Sequence, residues 1–130
     1  MAKLTSRQAY DLANNFLGLA QAIGDFRYSN WYLLSKADNQ MLGDLQWSIL
    51  NSGEDILTLS TILVMDDVSE SLGKINDITA RIKGNIHTLQ NIQKGINIAA
   101  SIVTLGAAII SKNARSVTDA IDGLAKAWEA

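Results

Sequence analysis

Residues 68–128 read VSESLGKINDITARIKGNIHTLQNIQKGINIAASIVTLGAAIISKNARSVTDAIDGLAKAW, and every seventh residue from the first is aliphatic. Apolar residues at this spacing are typical of helices that bury one stripe against other helices. The column is made of Val68, Ile75, Ile82, Leu89, Ile96, Val103, Ile110, Val117 and Leu124. We name this column the heptad seam. We predict that it is the main packing surface and the surface through which the chain associates.

The preceding residues show the same rhythm of three- and four-residue steps. In the first predicted helix, apolar residues recur from Ala9 to Phe26, and Thr5 with Gln8 matches a capping box at its start. In the second, the rhythm runs from Leu42 to Leu63 without losing phase at Asn51–Gly53. We therefore expect two long helices here, each unbroken.

The length of the heptad stretch favours a fold-back. A single helix over 68–128 would be about 90 Å long at 1.5 Å per residue, which the shorter first two helices could not cover. We place the hinge at Gly95, with Ser111–Asn113 as the second choice. The prediction is an all-α antiparallel bundle in one domain, 1–130. Its four helices would span about 5–28, 36–65, 67–93 and 96–128, or three helices would form if the last part is continuous.

Composition and motifs argue against several classes of function. The chain has no cysteine, which excludes disulfides and thiolate metal sites, and its net charge of −2 lacks the basic excess of a nucleic-acid binder. The single histidine, His87, has no carboxylate at helical spacing to orient it, and no Glu-x-x-His pair or phosphate-binding loop occurs. We expect no enzymatic activity, no cofactor, no metal site and no nucleic-acid partner.

Charge is unevenly distributed along the chain. Residues 37–73 contain seven acidic residues and no lysine or arginine, whereas residues 74–115 contain six basic residues and one acidic residue. Adjacent antiparallel helices would place these opposite charges beside each other, so we expect them to pair across helices within the fold. A basic face for a phosphate-bearing or membrane surface is the alternative.

Aromatic residues surround the first predicted turn. Phe26, Tyr28, Trp31 and Tyr32 lie within seven positions of one another. Such a cluster more often closes the end of a bundle, which is the interpretation we favour. The alternative is an exposed patch that binds a partner, since Trp and Tyr contribute strongly to binding where they are exposed.

The segment 95–111, GINIAASIVTLGAAIIS, carries no charge, and Lys94 and Lys112 flank it. A helix that is apolar all round is either central in a bundle or inside a membrane. We favour a central helix or an oligomer seam. A bundle with one concealed apolar segment is similar in outline to helical pore-forming toxins, although no motif is shared.

The pattern as a whole favours a non-enzymatic interaction or scaffold protein. It would self-associate, most simply as a dimer, or bind a partner helix through the heptad seam. A membrane-active or pore-forming-type protein that uses 95–111 is the alternative function. The stretch MAKLTSRQAYDL lacks the apolar core of a signal peptide, so a cytoplasmic location is the default expectation, with secretion or membrane association as alternatives.

Overall fold

A computed structural model describes residues 2–60, 62–65 and 67–130, and it confirms the all-α prediction. This part of the chain forms five α-helices: α1 (Ser6–Ser29), α2 (Lys36–Thr58), α3 (Val68–Asn85), α4 (Ile92–Ile110) and α5 (Ala114–Glu129). Short 3-10 turns at Trp31–Leu33 and Ile86–Thr88 follow α1 and α3. Two short strands, β1 (Ala2–Lys3) and β2 (Val64–Met65), pair antiparallel.

Side-chain caps determine where the helices begin. The predicted capping box of α1 is confirmed: the Gln8 backbone N–H donates to Thr5 Oγ1 at 3.1 Å, and the Thr5 N–H donates to Gln8 Oε1 at 2.8 Å. Each later helix also begins with a side chain that accepts a backbone N–H of the first turn. These N-caps are Ser35, Asp67, Asn91 and Asn113.

The second helix is unbroken, as predicted, but it ends earlier than expected. Residues Asn51–Gly53 are helical, whereas α2 stops at Thr58 rather than near Met65. The chain beyond it turns and forms β2, whose pairing with β1 gives Val64 and Met65 an alternative to helical hydrogen bonds. Thr61 and Asp66 lie outside the described residues.

The prediction of a hinge at Gly95 is wrong. The helix breaks earlier, at Ile86–Asn91, and Gly95 lies in the first turn of α4. A Cβ added to Gly95 would collide with the ring of Phe26 on α1. The glycine therefore permits a close approach of two helices and does not interrupt either of them.

The predicted helix over 96–128 is two helices. The second-choice hinge, Ser111–Asn113, is a turn between α4 and α5, and Lys112 adopts a left-handed backbone conformation there with φ 62°. This conformation reverses the chain direction sharply. The C-terminal half is therefore three helices, which makes five in the described chain rather than four or three.

The helices share one hydrophobic core. α1 and α2 form one hairpin, α4 and α5 form a second, and α2 packs on α4, while α3 packs against α1 and α5. Gly106 of α4 allows a second close contact between the hairpins, because a Cβ there would lie 2.7 Å from Ser52 Oγ and 3.1 Å from the Phe16 ring. The predicted stripe of α1 is buried throughout: Ala9, Leu12, Phe16, Leu19, Ile23 and Phe26.

Candidate functional site: an exposed aromatic face

The heptad seam lies mostly inside the chain. Five of its nine residues are buried in the core: Ile75, Ile82, Ile96, Val117 and Leu124. Val68, Leu89, Val103 and Ile110 are partly buried and pack against the same core. In this fold the seam therefore holds α3, α4 and α5 against the rest of the chain, and it does not offer a continuous stripe to a second molecule.

The aromatic residues around the first turn divide into one buried and three exposed members. Phe26 is fully buried, whereas Tyr28, Trp31 and Tyr32 are 81%, 48% and 100% exposed. The favoured interpretation, that the cluster closes the end of the bundle, is wrong for these three. Tyr28 lies on the exposed side of the last turn of α1, and Trp31 and Tyr32 lie on the 3-10 turn that follows. The buried position between them belongs to Asn30.

Asn30 fills a buried position at this end of the core. Its side chain is buried, and its Nδ2 donates to the carbonyl oxygens of Phe26 at 2.9 Å and Leu89 at 3.2 Å. The second bond joins the end of α1 to the connection between α3 and α4. A polar side chain thus satisfies two backbone acceptors, and the neighbouring aromatic rings remain in solvent.

Five exposed side chains form what we name the aromatic face: Leu17, Tyr28, Trp31, Tyr32 and Trp47. A groove of about 530 Å³ between α1 and α2 is lined by Leu17, Trp47 and Leu50. It adjoins a depression of about 310 Å³ beside Tyr28 and Trp31, and a further one of about 260 Å³ that these rings form with Tyr32. The three depressions share lining residues and run along one side of the α1–α2 hairpin.

Two glycines bring the helices of this hairpin together and shape the groove. Gln46 of α2 lies over Gly24 of α1, where a Cβ would be 3.2 Å from the Gln46 side-chain carbon Cδ. Arg27 of α1 lies over Gly43 of α2, with a guanidinium nitrogen 3.1 Å from the position of a Cβ. Because both positions lack a side chain, long polar residues lie flat across the helix contact and form the floor of the groove.

Arg27 also holds Trp31 in place. Its Nε donates a hydrogen bond to Asn39 Oδ1, and its guanidinium carbon lies 5.4 Å from the centre of the Trp31 ring. That distance fits a cation–π contact. The indole is therefore oriented by the hairpin itself before any partner arrives, which reduces the conformational entropy lost on binding.

Large apolar side chains are exposed only in one half of the described chain. All ten of them lie between Tyr10 and Ile62, and none lies in α3, α4 or α5. Trp47 is one of them and is 65% exposed. Its position off the buried Leu42–Ile49 stripe of α2 is the sequence signal that could have shown this.

The predicted pairing of acidic and basic segments across helices is wrong for the residues that the structure describes. The three ion pairs found there, Arg7–Asp11, Glu70–Lys74 and Asp77–Arg81, each lie within one helix. The acidic α2 packs mainly against α1 and α4, whereas the basic side chains of α3 lie on a helix that contacts α1 and α5. Among the described residues, no ion pair includes a carboxylate of α2.

The aromatic face offers the chemistry of recognition. Its rings supply apolar area, while the tyrosine hydroxyls, the indole N–H groups and the amides of Gln21 and Gln46 can form hydrogen bonds at the same surface. His87 lies elsewhere, exposed on the second 3-10 turn. Within 2–60, 62–65 and 67–130, no group of three His, Asp or Glu residues is placed to hold a metal ion.

The apolar segment 95–111 falls in α4, apart from Ser111 in the following turn. Among the described helices, α4 alone is long and apolar enough to cross a membrane, with a mean hydropathy of 1.4, and half of it is buried in the fold. Length and composition of this kind are shared by central helices of soluble proteins.

Comparisons with protein families, with curated proteins and with solved structures find no match to this chain.

Proposed function

We propose that this chain is a non-enzymatic interaction module that binds a partner protein through the aromatic face. One observation carries the proposal: two tryptophans and two tyrosines are exposed together along a groove of the α1–α2 hairpin. Exposed Trp and Tyr that line a pre-formed groove are the residue types that contribute most to protein–protein affinity.

The heptad seam has a different role in this proposal from the one its sequence suggested. Its buried members stabilise the module, and each fully buried Leu, Ile or Val contributes roughly 1.5–3 kcal/mol. Binding is assigned to the opposite side of the molecule, where α1 and α2 carry large side chains that the core does not use. Stability and recognition are then served by different residues and can be separated by mutation.

The test is capture of partner proteins by the wild-type chain and by Trp47→Ala and Trp31→Ala variants, with the bound proteins identified by mass spectrometry. We expect both variants to lose the same partner that the wild type retains. Met41→Ala is the matched control, because Met41 is an exposed apolar residue of α2 that does not line the groove. If the Trp variants and the control retain the partner equally, the aromatic face is not the binding surface.

Membrane activity through α4 is a second candidate function, supported by the length and hydropathy of that helix. It requires α4 to leave its contacts with α2 and α5. Leakage of dye from lipid vesicles measures it, and Val103→Lys, at a partly buried position of α4, should abolish the leakage. A chain that binds its partner through Trp47 and leaves vesicles intact supports the interaction module over this candidate.

A further inference from the structure

We infer that the occupant of the aromatic face is a basic, amphipathic helix of about three turns, supplied by a different protein. The inference rests on the proposed function, because it specifies the chemistry of the partner that the aromatic face binds. It is drawn from the dimensions of the groove and from the charges at its rim.

The length of the groove matches a short helix. Between Leu17 and Tyr28, at the two ends of the groove, α1 advances about 16 Å at 1.5 Å per residue. A helical occupant of about eleven residues, or three turns, spans the same distance. The groove lies between two packed helices and has apolar walls, so an amphipathic helix can bury a stripe of residues at i, i+3, i+4 and i+7 in it.

The rim of the groove is acidic. On α2, Asp44 and Glu54 lie three residues before and seven residues after Trp47, so all three share one face of the helix. On the α1 side, Asp25 lines the depression beside Trp31. None of these three carboxylates belongs to an ion pair among the described residues, so each is available to a cation from a partner.

Two basic residues lie near the same rim and offset part of its negative charge. Arg27 is engaged by the carbonyl oxygen of the Asn39 side chain and by the Trp31 ring, and Lys36 lies at the first position of α2, near the end of the groove. Three carboxylates against these two cations leave a net charge of −1 beside the exposed aromatic rings. Lysine and arginine suit such a surface, because their stems cover apolar area while their charged ends meet carboxylates or ring faces.

The same charges argue against two other occupants. A second copy of this chain docked by twofold symmetry would place the acidic rim opposite itself, and like charges at an interface cost binding free energy. An anionic membrane surface would meet the same repulsion. The carboxylates of the rim attract a basic helix, and this attraction also speeds association at low salt.

The test uses the full chain and two synthetic helical peptides of about 14 residues, a length that covers the groove. One contains Leu on one face and Lys on the other, and the matched peptide has Glu in place of every Lys. Binding is followed by tryptophan fluorescence in a Trp128→Phe background, so that Trp31 and Trp47 report. We expect the Lys peptide to bind more tightly than the Glu peptide, and less tightly as salt is added.

Charge reversal on the rim tests whether its carboxylates cause the preference for the Lys peptide. Asp44→Lys combined with Glu54→Lys should weaken binding of the Lys peptide roughly tenfold at low salt and strengthen binding of the Glu peptide. Asp119→Lys combined with Asp122→Lys makes the same change of net charge on α5, where both carboxylates are exposed, and should leave both affinities nearly unchanged.

Three results would overturn the inference: equal or tighter binding of the Glu peptide, equal losses in the rim and α5 variants, or no saturable binding of the Lys peptide. Binding to phosphatidylserine vesicles that depends on Trp47 would assign the face to a membrane and would also overturn it. Loss of partner capture in Trp47→Ala together with any of these results leaves the interaction module in place with a different occupant. The two proposals can therefore fail separately.

Discussion

The α1–α2 hairpin and the three C-terminal helices place their apolar side chains in opposite ways. α4 is the most apolar helix of the chain, yet its outward positions carry small residues such as Ala100, Thr104 and Ala107. α1 and α2 are polar overall, yet they expose Tyr28 and Trp47. The size and placement of exposed side chains, rather than the apolar content of a helix, indicate where a partner binds.

The difference lies in which positions of each helix carry the bulky residues. α4 packs against α2 on one side and α5 on the other, so its bulky residues meet neighbours within the chain. α1 also packs against α2 and α3, and α2 against α1 and α4, so their buried stripes meet the core while further bulky residues lie on their outer side. Bulky residues on their outer side are therefore unnecessary for folding, which is why we assign them to binding.

The largest expected effect comes from a charge in the buried half. Ile82→Asp on α3 should unfold the chain, because Ile82 is fully buried and an unpaired carboxylate there costs more than about 4 kcal/mol. Leu33→Asp, at an exposed position after α1, should leave stability within about 0.5 kcal/mol of the wild type. Thermal unfolding followed by circular dichroism compares the two variants. A folded Ile82→Asp variant would contradict the assignment of Ile82 to the structural core.

Replacing glycines by alanine should give the next largest changes in the free energy of unfolding. The sign of each change should depend on whether the glycine lies in a close helix contact or faces open space. Gly106→Ala should destabilise the chain by about 1–3 kcal/mol, since the added methyl meets Ser52 and the Phe16 ring. Gly73→Ala on α3 meets nothing within 4 Å and should stabilise the chain by about 0.5–1 kcal/mol. Urea denaturation measures both, and equal signs for the two substitutions would contradict this packing.

A smaller effect is expected at the junction of the two regions. Asn30→Ala removes both hydrogen bonds from the buried amide and should cost about 1–2 kcal/mol, because the Phe26 and Leu89 carbonyls lose a donor. Asn15→Ala removes an exposed bond to Asn76 and should cost much less. If the two variants unfold at the same urea concentration, the buried amide does not join the regions.

The smallest change in stability is expected at the aromatic face itself. Trp47→Ala should alter the free energy of unfolding by less than about 0.5–1 kcal/mol, since most of the ring is already in water. Urea titration of this variant beside Phe16→Ala, which empties a buried site and should cost about 3–5 kcal/mol, provides the contrast. Similar losses in the two variants would place Trp47 among the structural residues.

Local features of the fold were predictable, because they depend on residues close in sequence. The stripe of α1 and its Thr5–Gln8 cap follow directly from helical spacing and hydrogen-bonding capacity. The breaks were harder to place. The heptad seam runs through the turn at Ile86–Asn91, since Leu89 packs against the core there although it is no longer in an α-helix. A burial pattern can thus continue where the helix does not.

The sequence predicts which residue types form the site, but it does not predict the surface on which they lie. Phe26 lies on the stripe of α1 that helical spacing predicts to be buried, whereas the exposure of Trp31 and Tyr32 depends on the path of the chain after α1. That path depends on the contact between Asn30 and Leu89, which are far apart in sequence. The misplaced hinge has a similar origin, because a glycine such as Gly95 can end a helix or admit a neighbouring ring, and its sequence context alone does not distinguish the two.

The central position of α4 has a consequence for how the molecule opens. Its backbone amides are covered by α2 on one side and α5 on the other, so no local fluctuation can expose them all. Hydrogen–deuterium exchange in α4 should therefore proceed only when the whole domain unfolds, while the Trp31–Leu33 turn exchanges within seconds. The short turn after α1 can in this way open while α4 stays folded.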